Sequence, residues 1–252
     1  MTALTGRTVL VTGAAGGIGQ AIVKAFAAAG ANVVIADLNG KAAQAVADSL
    51  GPTATGTLLA CTLDVASGSS VRAALAMTEG QIGGVDILVN NAGIDTIEPF
   101  VESTESTWRR IIEVNYLGTV ITTRAVLDGM IERSYGRIVN ISSDAGKVGS
   151  SGEVVYSGTK GAVIAFGKAL AREVATKGIT VNAVCPGPTD TALLKQVSDR
   201  SPSMMSAIAR AVPMKRIGTP ADVAPAVVFL AGDGAAYITG QALSVSGGLS
   251  MS

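Results

Sequence analysis

Histidine is absent from the chain. Without imidazole there is no Ser-His-Asp or Cys-His triad, no histidine-ligated metal and no histidine proton shuttle. Acid-base work near neutral pH then falls to Asp, Glu, Lys, Tyr or Cys with a displaced pKa. Cysteine is nearly as scarce: Cys61 and Cys185 lie far apart without CxxC spacing, which fits two reduced, buried thiols, and no metal site is expected. Charge of either sign is not in excess, with 19 Lys+Arg against 19 Asp+Glu, and only 4% of residues are aromatic. That balance argues against binding a phosphate backbone or stacking on bases, so no nucleic-acid partner is expected. Long apolar runs are also missing: no window reaches about 18 uncharged apolar residues. The opening MTALTGRTVLVTG lacks the apolar stretch and cleavage site of a signal peptide. No membrane association is expected, and the location expected is cytoplasmic.

What is abundant is aliphatic side chains and glycine: 48% of residues are hydrophobic and 31 are Gly. No linker divides residues 1–252, and α/β folds of about 250 residues commonly form one unit, so a single domain is expected. Strand-length runs rich in Val and Ile alternate with longer helical patterns, the mark of β-α units around a parallel sheet covered on both faces. Seven runs qualify: Thr8–Thr12, Asn32–Asp37, Leu58–Asp64, Ile87–Asn90, Arg137–Ser142, Thr180–Val184 and Ala242–Val245. The architecture expected is a Rossmann-type doubly wound α/β sandwich of three layers with a seven-stranded parallel sheet. Thr219-Pro220-Ala221-Asp222 reads as a helix start, although Pro225 soon after it implies a kink or a later start. The segment 190–216, with Pro202, Pro213 and the pair Met204-Met205, lacks a strand and is a candidate substrate lid.

Thr12-Gly13-Ala14-Ala15-Gly16-Gly17-Ile18-Gly19 follows the first strand and opens the first helix. Small residues there let the backbone turn tightly and approach a pyrophosphate held at the helix N-terminus, so Gly13, Gly17, Ile18 and Gly19 are candidate cofactor contacts. Asp37 ends the second strand, 18 residues past Gly19. A carboxylate there accepts hydrogen bonds from both ribose hydroxyls of an adenosine and repels a 2′-phosphate. Since Ala14, Ala15 and Leu38 supply no cation, NAD is expected in preference to NADP.

Three ordered motifs extend the pattern: Thr12–Gly19, Asn90-Asn91-Ala92-Gly93 and Tyr156-Ser157-Gly158-Thr159-Lys160. Over essentially its whole length the sequence resembles the short-chain dehydrogenase/reductase family. The resemblance implies that Asp64 and Val65 bound the adenine, that Asn91 and Gly93 line the cofactor cleft, and that Pro186, Gly187, Thr189 and Thr191 hold the nicotinamide carboxamide. Position 189 is often Val or Ile in that family, so its Thr side chain has no role from the resemblance. The family also implies a homotetramer built on the helices at Trp108–Met130 and Val155–Ala175 and on the last strand.

The chemistry also follows from the residues themselves. Tyr156 and Lys160, at i and i+4, share a helix face, and an ammonium near a phenol favours the phenolate. The ordinary tyrosine pKa of about 10 is too high for a general base at neutral pH, so Lys160 and the positive ring of oxidised nicotinamide are expected to lower it. Ser142 and Ser143 both stand at the end of a strand, where open parallel sheets gather ligands, and alternation does not choose between them. The family spacing selects Ser143 to hold the substrate oxygen. Asn115 sits in a long helical pattern to which its propensity is poorly suited; the family gives it a water-mediated proton relay to Lys160.

The function expected is hydride transfer between NAD and a secondary alcohol or ketone, with a small-molecule substrate. The stretches 143–153, 185–194 and 243–249 are similar to dehydrogenases acting on 2-hydroxycyclohexanecarboxyl-CoA, which implies a cyclic or hydroxyacyl substrate. Lys147 and Glu153 are candidate polar pocket groups. A 3-oxoacyl-thioester reductase of the acyl-carrier-protein type is the nearest rival, disfavoured by Asp37 because such enzymes normally prefer NADP. A dinucleotide sensor without catalysis and a methyltransferase would have no use for Asn115, Ser143, Tyr156 and Lys160 together.

Overall fold

The computed structural model describes residues 4–51, 54–192, 194 and 202–251. The strands are β1 (Thr8–Thr12), β2 (Asn32–Asp37), β3 (Leu58–Thr62), β4 (Ile87–Asn90), β5 (Gly136–Ile141), β6 (Ile179–Pro186) and β7 (Ala242–Val245). They form one sheet in the order β3-β2-β1-β4-β5-β6-β7, every neighbouring pair parallel. This is the Rossmann-type doubly wound fold. Strand order reverses between β1 and β4, so the loops leaving these two strands part and open a crevice at the C-terminal edge of the sheet.

Alternation along the strands sends side chains to two cores. Val9, Val11, Val33 and Ile35 face α1 (Gly17–Ala28), α2 (Gly40–Leu50) and α9 (Pro220–Ala231), packing with Ile22, Phe26, Val46, Val227 and Leu230. Leu10, Val34, Leu88, Ile138 and Val181 face the other way. There they meet α3 (Gly68–Ile82), α5 (Gly118–Glu132) and α7 (Val154–Val174) through Val71, Val126, Met130, Leu170 and Val174. Both faces of the sheet are therefore dry, which explains strands apolar at nearly every position.

Four strands have the bounds read from the sequence, and three differ. β3 ends at Thr62 rather than Asp64 because its register with β2 closes at Asp37 and Thr62; beyond it the Asp64 carboxylate accepts the Ala66 N–H at 3.0 Å and turns the chain. β5 is shifted one residue toward the N-terminus, and β6 extends to Pro186 because β7 pairs along it from Ala183 to that residue. α9 begins at Pro220 and runs unbroken through Pro225, so its start is not displaced. Its first turn is anchored by Asp222, whose Oδ2 accepts the Thr219 N–H at 2.7 Å.

The long helical pattern from Trp108 is divided into α4 (Glu105–Ile112), a π turn at Glu113–Leu117, and α5. A short α6 (Ala145–Val148) follows β5. Within the segment read as a lid, α8 (Pro202–Ala211) is a helix where no regular element was expected. Residues 193 and 195–201 of that segment, and the Met204 side chain, lie outside the described residues. Cys61 and Cys185 are free and buried, and burial pushes the Cys61 thiol up to about 11. Among the described residues no helix is long and apolar enough to cross a membrane.

Candidate active site

The turn after β1 is braced from β4. The Asn91 amide Nδ2 donates to the carbonyls of Thr12 (3.0 Å) and Gly13 (2.9 Å), while Thr12 Oγ1 accepts the N–H groups of Asn91 (3.0 Å) and Ala92 (3.1 Å). Gly13 has a left-handed φ of +60°, and a Cβ there would stand 2.8 Å from Ala92 Cα. A Cβ on Gly19 would overlap the Gly13 carbonyl oxygen. Close packing of this kind excludes side chains and leaves the first-turn N–H groups of α1, at Gly17, Ile18 and Gly19, without intrahelical acceptors. That is the arrangement that receives a phosphate.

Asp37 faces an open cleft that Leu38, Asn39, Lys41 and Thr62 also line. Its carboxylate accepts the Ala15 N–H and the Asn39 N–H, each at 2.9 Å, tying the glycine turn to β2. Two such bonds use about half of a carboxylate's acceptor capacity, so the group retains capacity for ribose hydroxyls. Lys41, the second residue of α2, is a cation lining the same cleft as Asp37, beside the uncharged Leu38. Asp64 folds its own loop, and Val65 is buried against Gly118, where a Cβ would meet Val65 Cγ2 at 2.7 Å.

The loop after β6 returns to the same turn. Thr191 Cγ2 lies 3.4 Å from where a Gly17 Cβ would be, and Gly187 approaches Ser246 so closely that a Cβ would stand 2.7 Å from its Cβ. Thr189, for which sequence offered no side-chain role, is buried and donates its hydroxyl to the Gly187 carbonyl at 2.9 Å, closing the turn that follows Pro186. The glycine turn, the Asp37 cleft and this loop together fit a dinucleotide.

Ser142 and Ser143 separate cleanly. Ser142 is buried and donates to the Lys160 carbonyl at 2.8 Å, a bond between β5 and α7, whereas Ser143 is half-buried, accepts the Ala145 N–H at 3.1 Å and hydrogen-bonds Tyr156. Lys160 is buried, donates to the Ile141 carbonyl at 2.8 Å and sits 5.5 Å from the centroid of the Tyr156 ring. Burial lowers the Lys160 ammonium to about 8. Asn115 lies in the π turn, 1% exposed, its side chain bound to both backbone groups of Ile94 and to Thr159 Oγ1. A Cβ on Gly93 would stand 3.4 Å from Lys160 Nζ and 3.5 Å from Asn115 Oδ1, so Gly93 lies against both groups. π turns of this kind recur at functional sites.

In the protein without a dinucleotide Tyr156 is held above the ordinary tyrosine range: burial dominates, and the Glu153 and Asp95 carboxylates add to it, while the Ser143 hydrogen bond acts in the opposite direction; the lowering expected from Lys160 and the oxidised nicotinamide ring belongs to the cofactor complex. Lys160 does not outweigh them, being itself desolvated. Glu153 lines the cavity beside Tyr156, as a pocket group would, and so does Asp95, which sequence reasoning missed. The available signal was its place just past the end of β4, where this fold gathers ligands. Lys147 is instead a brace to the last strand, donating to the Ala242 carbonyl (2.7 Å) and Ser244 Oγ (2.9 Å). Stacked Phe100 and Trp108, 5.4 Å between centroids, form an aromatic wall of the same cavity.

A doubly wound sheet with a phosphate-type turn at its switch point and a Ser-Tyr-Lys cluster beside it defines a nicotinamide-dependent oxidoreductase. Residues 13–250 match the family described as Enoyl-(Acyl carrier protein) reductase. The 3-oxoacyl-(acyl-carrier-protein) reductase FabG of Vibrio cholerae serotype O1 is 41% identical over 248 residues, 98% of this chain and 99% of that protein. Its Escherichia coli K12 counterpart is 40% identical over 98% of each. Among solved structures, a short-chain dehydrogenase/reductase from Brucella melitensis described as glucose/ribitol dehydrogenase has a TM-score of 0.91 at 32% identity, covering 100% of this chain and 99% of its own. Levodione reductase has a TM-score of 0.93 at 27% identity, covering 97% and 98%. The chain belongs to the short-chain dehydrogenase/reductase family, whose members are oxidoreductases acting on CH–OH groups with a nicotinamide dinucleotide.

Proposed function

We propose that the chain reduces the ketone of a 3-oxoacyl thioester, with NADH as the preferred cofactor. The observation that carries the reaction type is the convergence of Ser143, Tyr156 and Lys160 beside the crevice into which the Gly13–Gly19 turn opens. The thioester is supported by the 3-oxoacyl-(acyl-carrier-protein) reductase activity for which relatives about 40% identical over the full length are named. NADH is supported by the Asp37 carboxylate at the β2 end of the cleft, which opposes a 2′-phosphate.

The residues divide the work as follows. Ser143 Oγ donates a hydrogen bond to the ketone oxygen and orients it. Tyr156 gives its phenolic proton to that oxygen as negative charge develops there, and its raised pKa suits a proton donor. Lys160, fixed by the Ile141 carbonyl, stabilises the phenolate left behind and offers hydrogen bonds to the nicotinamide ribose. Asn115 holds the loop after β4 and supports proton return to Lys160 through water. Gly13, Gly17, Ile18 and Gly19 hold the pyrophosphate, Asp64 and Val65 flank the adenine, Asn91 and Gly93 shape the cleft, and the Pro186–Thr191 loop holds the carboxamide. The bound cofactor supplies the hydride.

A second reading, oxidation or reduction of a cyclic hydroxyacyl thioester, is favoured by the Phe100–Trp108 wall beside Tyr156, which suits an apolar ring. Absorbance of the reduced nicotinamide decides among these: acetoacetyl-CoA and 2-oxocyclohexanecarboxyl-CoA are offered with NADH or NADPH. Consumption of NADH with acetoacetyl-CoA is expected; a response only to the cyclic thioester selects the second reading, and tight dinucleotide binding with no turnover selects a sensor. A homotetramer is also proposed, supported by exposed Ile112 at the end of α4, Leu117 in the π turn and Leu243 on the edge strand β7; sedimentation as a monomer at micromolar concentration would remove it.

A further inference from the structure

Asp144 stands between Ser143 and α6, and it is only 5% exposed although it is a carboxylate. Its Oδ1 accepts the Ser244 hydroxyl at 2.7 Å. Having given its one proton to Asp144, the Ser244 oxygen accepts from Lys147, whose Nζ lies 2.9 Å away and also donates to the Ala242 carbonyl at 2.7 Å. The direction is therefore fixed, from Lys147 on α6 through Ser244 on β7 and back to Asp144. Asp144 Oδ2 is buried and receives no hydrogen bond among the described residues. Burying a carboxylate with one oxygen unsatisfied costs free energy, so packing alone does not account for this residue.

The backbone of the same residue joins two parts of the site. The Asp144 N–H donates to the Pro186 carbonyl at 3.0 Å, where β6 ends and the 186–191 loop begins. One residue back, Ser143 Oγ accepts the Ala145 N–H at 3.1 Å. From the other side β7 sets Ser244 opposite Cys185 and Val245 opposite Pro186, and the Gly187 N–H donates to the Val245 carbonyl at 3.1 Å. β7 thus holds the loop by backbone and Asp144 by a side chain. We propose that Lys147, Ser244 and Asp144 are positioning residues: their chain of hydrogen bonds fixes Ser143 in register with the Pro186–Thr191 loop, so that ketone and nicotinamide meet at a set distance. They act through the Asp144 backbone and not by contact with the reacting atoms. Misplacing either reactant by about 1 Å is enough to slow the reaction about 10²-fold. The inference rests on the ketoreductase reading, in which Ser143 holds the ketone and the loop holds the carboxamide.

Ser244→Ala removes the middle link and leaves both charged ends in place, at a half-buried strand position, while Ser244→Thr keeps the hydroxyl as the rescue. Amide hydrogen exchange of the full chain is read first, without substrate. The Asp144 N–H should exchange about fivefold faster or more in Ser244→Ala, the effect of about one hydrogen bond, and an unmoved rate overturns the network whatever the substrate. With saturating NADH and the ketone that is turned over, kcat per dinucleotide site, the sites being counted by calorimetry, should fall about tenfold or more in Ser244→Ala. Dinucleotide Kd should stay unchanged, and Ser244→Thr should restore kcat. An unaltered kcat, or a loss explained by fewer or weaker dinucleotide sites, overturns the positioning role. Absence of turnover with every ketone overturns the function and leaves hydrogen exchange to decide the network.

Discussion

Asn115 clasps the backbone of Ile94 with both ends of its amide: Oδ1 accepts the Ile94 N–H at 2.8 Å and Nδ2 donates to the Ile94 carbonyl at 2.9 Å. The clasp fixes the loop after β4, which carries Gly93 and Asp95, to the π turn between α4 and α5. Asn115→Ala leaves both Ile94 groups unpaired in a half-buried place, so unfolding free energy should drop by about 1 kcal/mol or more in denaturant titrations, with turnover falling as well. Asn115→Asp keeps only the acceptor and should recover part of the stability.

Tyr156→Phe removes the proton donor without changing the ring. Turnover should fall by about 10²-fold or more, while dinucleotide binding, followed by quenching of Trp108 fluorescence or by calorimetry, stays intact. Substantial residual turnover would assign the proton to another group.

Asp37→Ser removes the charge that opposes a 2′-phosphate and leaves Lys41 in the cleft. The ratio of kcat/KM for NADH to that for NADPH should fall by about tenfold or more, in line with loss of a charged hydrogen bond. A ratio unaffected by the change would show that Asp37 does not read the ribose.

Two buried groups give stability a pH dependence of known sign. Lys160 is lowered from 10.5 to about 8 by burial, so between those values the unfolded chain binds the extra proton and stability rises with pH, by about 1–3 kcal/mol. Asp95 is raised from 3.8 to about 7, so the folded chain holds the extra proton and stability declines as pH climbs through that window. Urea midpoints across pH should lose the alkaline rise in Lys160→Met and the acid-side slope in Asp95→Asn.

Gly19→Ala places a methyl on the Gly13 carbonyl oxygen, within 2.9 Å of Ala14 Cα and Asn91 Nδ2 as well. Backbone must move, at a cost of about 1–3 kcal/mol, and dinucleotide affinity should collapse with the turn. Gly16→Ala, whose Cβ meets only the Gly13 oxygen at an ordinary 3.5 Å, is the matched control.

The doubly wound sheet was legible because its two dry faces force near-continuous Val/Ile/Leu strands, a pattern that needs no partner information. The positions of Ser143, Tyr156 and Lys160 were legible by motif spacing. Strand alternation did not choose between Ser142 and Ser143 and family spacing selected Ser143; the physical reason that Ser142 is otherwise engaged, its bond to the Lys160 carbonyl, is visible only in three dimensions. Asn91 illustrates the same limit: its amide braces the glycine turn, a contact across 79 residues that no local period encodes. The upward hold on Tyr156 in the cofactor-free protein was not legible, because i, i+4 spacing reveals the lysine but not the desolvation around both groups, nor Asp95 arriving from another loop. The helix α8 was missed because the prolines around it read as loop signals.

The Asn91 brace has a consequence for biosynthesis. The nascent chain completes β1, the glycine turn and α1 early, yet the amide that holds the turn shut emerges only after β4 has been made. A fragment ending before residue 91 therefore contains every glycine of the turn after β1 and lacks the amide that holds it to β4.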